Sequence, residues 1–155
     1  MSVAFRRESD EEHKEPRFEL PIPPGPNLVT AAGLQLAERR VAELEAKIAT
    51  ETEELALADA QRSLRYWRTR LATATLAPPP HADVAAFVSR VSFRLNGVER
   101  TADIVGDDEA DPAAGKLAFS APLARALIGA GPGDFADFGG TADAIEIVAV
   151  GAIPA

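Results

Sequence analysis

The sequence predicts an α+β protein, with an antiparallel helical hairpin followed by a small antiparallel sheet that carries one short helix. Three observations predict it. Two apolar stripes at helical spacing run through residues 34–71 in different registers. The triple proline Pro78-Pro79-Pro80 closes that stretch. Beyond it the pattern changes to short apolar runs on either side of Asn96-Gly97, a strong signal for a β-hairpin.

Length and composition set the outer bounds. A chain of 155 residues suits one domain or two small ones. Hydrophobic content of 46% and charged content of 26% are ordinary for a folded protein. No apolar run approaches the roughly 20 residues of a membrane helix. The charged N-terminus has no apolar signal core, so a cytoplasmic protein is expected. Without cysteine there are no disulfides, thiolate metal sites or cysteine nucleophiles. The formal charge of -8 is uneven: -2 over residues 1–29, neutral over 30–82, and -6 over 83–155. No segment is a basic block, which argues against independent binding to duplex DNA. A protein partner, with nucleic acid reached through it, is the expectation.

Taken in order, residues 1–29 read as a charged, proline-rich tail. Four prolines in Pro21–Pro26 favour an extended strap. Phe18, Leu20 and Ile22 alternate and could lie on a neighbouring surface, whereas residues 1–15 read as disordered. Residues 30–77 read as the helical hairpin. Thr30 is a good N-cap. Leu34, Ala37, Val41, Leu44 and Ile48 form the first stripe, and Leu57, Ala60, Leu64, Trp67 and Leu71 the second. Continuing the first stripe would require apolar residues at 55, 58 and 62, where Arg62 falls. This register break predicts two helices folded back on a turn near Ala49–Thr52, with Thr50 and Glu53 as a capping box for the second. The rival is one long helix with a stutter, used for dimerisation. Residues 78–83 form a proline-rich linker.

Residues 84–155 read as the sheet domain. Val88–Leu95 and Val98–Val105 flank the Asn96-Gly97 turn. Leu117–Phe119 reads as a short strand. Pro122–Ile128 reads as a short helix, with proline in its first turn and Gly129 at its end. Phe135–Phe138 and Ala144–Val150 close the sheet.

Several short motifs stand in a fixed order: Thr30-Ala-Ala-Gly33 at the start of the first helix, Arg70-Leu-Ala-Thr-Ala74 at the end of the second, Ile104-Val-Gly106 with Glu109, Pro122-Leu-Ala-Arg-Ala-Leu127, and Gly133-Asp134. In these the chain resembles the Gre factors of bacterial RNA polymerase. The resemblance covers residues 30–150 and is strongest from 104 onward. It implies a coiled-coil hairpin joined to an FKBP-like C-terminal domain. It also implies docking on bacterial RNA polymerase through the loop Ser120-Ala121-Pro122-Leu123, with the hairpin in the secondary channel. That loop keeps the family's proline but not the serine before it. The family's Gly-Asp-Leu-Ser-Glu-Asn type tip is absent, and a first helix of about 19 residues is about 28 Å long. The chain therefore resembles the short-armed members, which bind polymerase without the cleavage tip.

Candidate chemistry is sparse. Glu51, Glu53 and Glu54 sit at the expected tip. By resemblance they could touch the polymerase magnesium indirectly, although acids in a first helical turn also complement the helix dipole. Arg62, Arg65 and Arg68 are candidates to face RNA, but a solvated face or pairs with Glu38, Glu43 and Glu45 account for them equally well. Tyr66 could stack on a base, whereas Trp67 lies on the apolar seam. Asp107, Asp108, Glu109 and Asp111 read as a solvated acidic turn. Gly129–Gly133 lacks the strand–loop–helix context of a phosphate cradle, and Leu117 after Gly115-Lys116 excludes a P-loop. His13 and His81 have no matching ligands. No active site, metal or cofactor of its own is expected, and a monomer is. The remaining readings are a cleavage factor using the tip glutamates, a chaperone or prolyl isomerase, and a dimerisation module.

Overall fold

In the computed structural model the structure describes residues 19–80 and 83–154, so the expectation for residues 1–15 lies outside the described residues. By their contacts the residues divide into two compact units. Of the described residues, one unit holds 19–24 together with Ala37–Thr73, and the other holds Gly25–Leu36 with 74–80 and 83–154.

The first unit is helical. Helix α1 spans Ala31–Thr50 and α2 spans Glu54–Thr73. Three residues connect them, short enough to turn the chain back on itself. The two apolar stripes face inward: Ala37, Ala60 and Leu64 are buried, and Val41, Leu44, Ile48, Leu57 and Trp67 are half-buried. The turn is made differently from the expected capping box. Thr50 closes α1, its hydroxyl directed back to the Lys47 carbonyl at 3.4 Å. The cap of α2 is Glu53, whose carboxylate accepts from the backbone N–H groups of Leu55 at 3.2 Å and Ala56 at 2.7 Å. Glu53 stands one residue before the helix, where its oxygens reach N–H groups that have no partner within the helix.

The second unit is built on a sheet. Strands β3 (Ser89–Leu95), β4 (Val98–Val105), β5 (Lys116–Ala118), β6 (Phe135–Phe138) and β7 (Thr141–Ala152) lie in the order β5-β4-β3-β7-β6. All neighbours are antiparallel except β4 and β5, which run parallel. Asn96 and Gly97 both have positive φ, at 51° and 84°, as a two-residue hairpin of matching twist requires. Helix α3 (Pro122–Leu127) packs on one face, with Ala124 and Leu127 fully buried. There they join Val91, Phe93, Ile104, Ile145 and Ile147 in the core. Burying each large side chain of this kind is worth about 1.5–3 kcal/mol.

Strand β7 extends beyond the expected Ala144–Val150 at both ends, and it contains a bulge. Ser92 pairs with Ala149 but Phe93 pairs with Ile147, leaving Val148 as the extra residue. Ile145 and Ile147 enter the core before it and Val150 after it, so the inward positions change from odd to even.

A second, two-stranded sheet was not expected from the sequence. Leu28–Val29 (β1) pairs in parallel with Thr75–Leu76 (β2), and the Ala77 N–H extends the pairing to the Val29 carbonyl at 3.1 Å. Residues just before α1 and just after α2 thus share backbone hydrogen bonds, and the chain leaves its helical course before the triple proline.

Candidate functional site

Three sets of residues were singled out in the sequence. The structure keeps them as three places, each with its own local cause.

At the tip, Glu51 and Glu53 spend their carboxylates on the turn. Glu51 accepts from the Glu53 N–H at 3.1 Å, and Glu53 caps α2. Glu54 sits in the first turn of α2 and makes no hydrogen bond or ion pair among the described residues. No group of three or more potential metal ligands occurs among the described residues.

On α2, each arginine of the candidate set has an acid. Arg62 bonds Asp59 at 2.8 Å, one turn earlier on the same helix. Arg68 reaches Glu45 on α1 at 2.9 Å, the cross-hairpin pairing allowed for in the sequence. Arg65 is held by Glu19, from the strap that precedes the hairpin. Its Nε donates to both carboxylate oxygens at 2.8 and 3.0 Å, and Nη2 to one of them at 2.7 Å. This fork geometry is the strong form of a carboxylate–guanidinium contact. The hydrogen bonds from Arg65 hold the Glu19 carboxyl below its ordinary pKa, and the carboxylate in turn raises that of Arg65. Tyr66 meets Trp67 edge-on, with ring centroids 5.4 Å apart, and the Arg40 guanidinium lies 5.9 Å from the Trp67 ring centre. Trp67 is half-buried on the seam, as its place in the stripe implied.

In the sheet unit, Ser120-Ala121-Pro122-Leu123 leads into α3. Pro122 is exposed in the first turn of the helix, and Leu123 packs toward the core. Ala121 occupies the cap position without a side-chain hydrogen bond. The Ser120 hydroxyl donates to Asp107 at 2.6 Å, which fixes the loop from the other side.

The acidic turn differs from the expected solvated one. The hydroxyl of Thr30 donates to Glu109 and accepts from the Gly33 N–H at 2.9 Å. A Cβ on Gly33 would lie 3.0 Å from the Glu109 carboxylate, and one on Gly106 would lie 2.4 Å from the Leu28 carbonyl oxygen. Thr30, Gly33, Gly106 and Glu109, far apart in sequence, therefore form one clasp at the start of α1. Sequence reasoning had Thr30 as a cap and Glu109 in a solvated turn but did not join them; the missing signal was the close approach of β1. The glycine-rich run after α3 holds no anion site. The N–H groups of Gly129, Ala130, Gly131 and Gly133 are spent on Ala85, Leu127, Asp134 and Ile147.

Comparison with known proteins bears on the sheet unit above all. Residues 79–152 match the family model of the GreA/GreB transcription elongation factor C-terminal domain. Among curated relatives, the elongation factor GreA of Chelativorans sp. (strain BNC1) is 58% identical over 36 residues, 23% of each chain. GreA of Thioalkalivibrio sulfidiphilus (strain HL-EbGR7) is 53% identical over 63 residues, 39% of each. The matched stretches thus span between about a quarter and two fifths of these relatives. Among solved structures, the GreA/GreB factor of Nitrosomonas europaea is 24% identical and aligns over 83% of this chain and 99% of its own, with a TM-score of 0.40. Residues 79–152, which hold Gly106, the α3 loop and the Gly133-Asp134 turn, are similar to the GreA/GreB C-terminal domain, and the likeness of the chain to the Gre-factor family rests on that stretch.

Proposed function

We propose that this protein is a short-armed accessory factor of bacterial RNA polymerase, without an active site or cofactor of its own. It docks through the loop Ser120–Leu123 at the start of α3, where Ser120 and Pro122 are exposed, and places the helical hairpin in the polymerase secondary channel. There it modulates elongation with weak or no stimulation of transcript cleavage. Nucleic acid is met only through the polymerase, and the protein acts as a monomer. The family match over residues 79–152 supports the partner. The observation that carries the modulator reading is the tip: Glu51 and Glu53 are committed to backbone N–H groups, so using them on a metal ion means uncapping α2.

Glu54, with no partner among the described residues, is the one tip acid that favours residual cleavage activity. Both readings meet in one experiment. Backtracked elongation complexes of a bacterial polymerase, with 3′-labelled transcript, are mixed with the protein alone or in competition with an authentic cleavage factor. The expected result is little cleavage alone and loss of the authentic factor's cleavage in competition. Replacing the exposed Pro122 by a charged residue should abolish the competition. Strong cleavage that disappears in Glu54→Ala would instead make this a true cleavage factor, and no effect of either kind would remove the polymerase reading.

A further inference from the structure

Residues 19–24 lie against the hairpin as a proline-rich strap. Glu19, Leu20 and Ile22 face Arg65, Tyr66, Arg68 and Thr69 of α2 across a groove of about 480 Å³. The upstream end is caught by the Glu19–Arg65 fork, whose side chains stay largely exposed, at 61% and 53%. Exposed ion pairs are weak and screened by salt. Leu20 and Ile22 keep 36% and 45% of their surface exposed, so apolar burial adds little. Downstream the chain is firmly held: Asn27 is buried, and its carbonyl accepts from the Thr75 N–H at 2.9 Å. Between the two lies Gly25, with a φ of 88° and no atom within 4 Å of where a Cβ would stand. A glycine in open space changes its backbone angles readily. The strap thus has a weak catch at one end, a firm anchor at the other and a pivot between them.

We propose that the strap is an autoinhibitory latch, which must swing off α2 about Gly25 before the hairpin enters the polymerase channel, and that the Glu19–Arg65 pair sets how readily it opens. The inference rests on the channel reading given above. Two packed helices measure about 20 Å across their broad side. A further segment laid along α2 widens that section and covers part of the flank that a channel wall would meet. Pro21, Pro23 and Pro24 hold the strap extended in either position, so closing the latch orders little further backbone and the catch stays near balance. Ionic strength, or any acceptor that draws Arg65 away from Glu19, then decides how much of the protein is ready to insert.

The test has two readouts on the full chain, which has no native cysteine to interfere. The first uses no polymerase. A fluorophore on Leu20→Cys reports strap motion through its anisotropy. Glu19→Ala should lower it, as should salt raised to about 1 M, where the Debye length is about 3 Å. The second is competition with an authentic cleavage factor on backtracked complexes. Glu19→Ala should lower the concentration needed for half-inhibition by about two- to fivefold, the range one exposed ion pair can supply. Glu38→Ala, which removes an exposed acid of α1, should not. Joining Leu20→Cys to Thr69→Cys with a short bismaleimide should abolish competition, while the same double variant competes before it is cross-linked. An unchanged anisotropy in Glu19→Ala, or equal competition by the cross-linked and uncross-linked forms, overturns the latch. If the strap loosens as expected but no form competes, the polymerase reading fails and the latch fails with it.

Discussion

Thr30 uses one hydroxyl twice, accepting from Gly33 and donating to Glu109. The first bond caps α1, and the second fastens the acidic turn to the cap. Loss of a threonine cap costs about 1 kcal/mol, and the carboxylate of Glu109 then loses its donor as well. Thr30→Ala should therefore lower stability by about 1–2 kcal/mol. In a denaturant-based double-mutant cycle with Glu109→Ala the two losses should fall short of additive, as expected for groups in direct contact. Strict additivity would mean that the bond contributes nothing. The sequence showed Thr30 as a cap, because capping leaves a local signature. It did not show Glu109 as the partner, because the two are 79 positions apart and only the return of β1 alongside the end of β4 brings them together.

The helices and most strands were legible for an elementary reason: their side-chain periods, 3.6 and 2, are local. The register break between Ile48 and Leu57 marked the hairpin, and Asn96-Gly97 marked the turn between β3 and β4. What was not legible depends on backbone rather than on side-chain pattern. Strands β1 and β2 have two residues each and no alternation to read, yet they bring the Leu28 carbonyl to within 2.4 Å of where a Gly106 Cβ would stand. Gly106→Ala should push this pairing apart and destabilise the sheet unit by about 1–3 kcal/mol. Gly151→Ala, where the same atom would meet nothing within 4 Å, serves as the neutral control in a thermal melt. Equal melting temperatures for the two variants would remove the close-approach argument. The turn residues of the hairpin were misread for a related reason. Thr50-x-x-Glu53 has the spacing of a capping box, but α1 persists through Thr50 and leaves Glu53 to cap α2 alone.

At the scale of the whole chain, the two apolar stripes of the hairpin find each other within a single copy. Ala37, Ala60 and Leu64 are buried without a second chain. A module built to dimerise through one continuous helix would have left that seam open. Sedimentation equilibrium should accordingly return the mass of one chain at micromolar concentration, and a dimer that dissociates on Leu64→Arg would restore the rival reading. The candidate site was legible to different degrees along the same chain. The α3 loop and the tip acids could be placed from sequence because each lies beside a helix end. The strap's hold on Arg65 could not, because one glutamate among six acids in residues 1–29 carries no mark of its partner.

The bulge at Val148 has a further consequence for how relatives of this chain are compared. In β7 a single residue separates a stretch that faces the core with its odd positions from one that faces it with its even positions. A homologue lacking that residue would run in unbroken alternation through this point, with the counterparts of Ile147 and Val150 both facing the core. A one-residue gap in an alignment at this point thus keeps inward positions matched to inward ones, and it is an alignment closed across the bulge that would compare inward positions with outward ones.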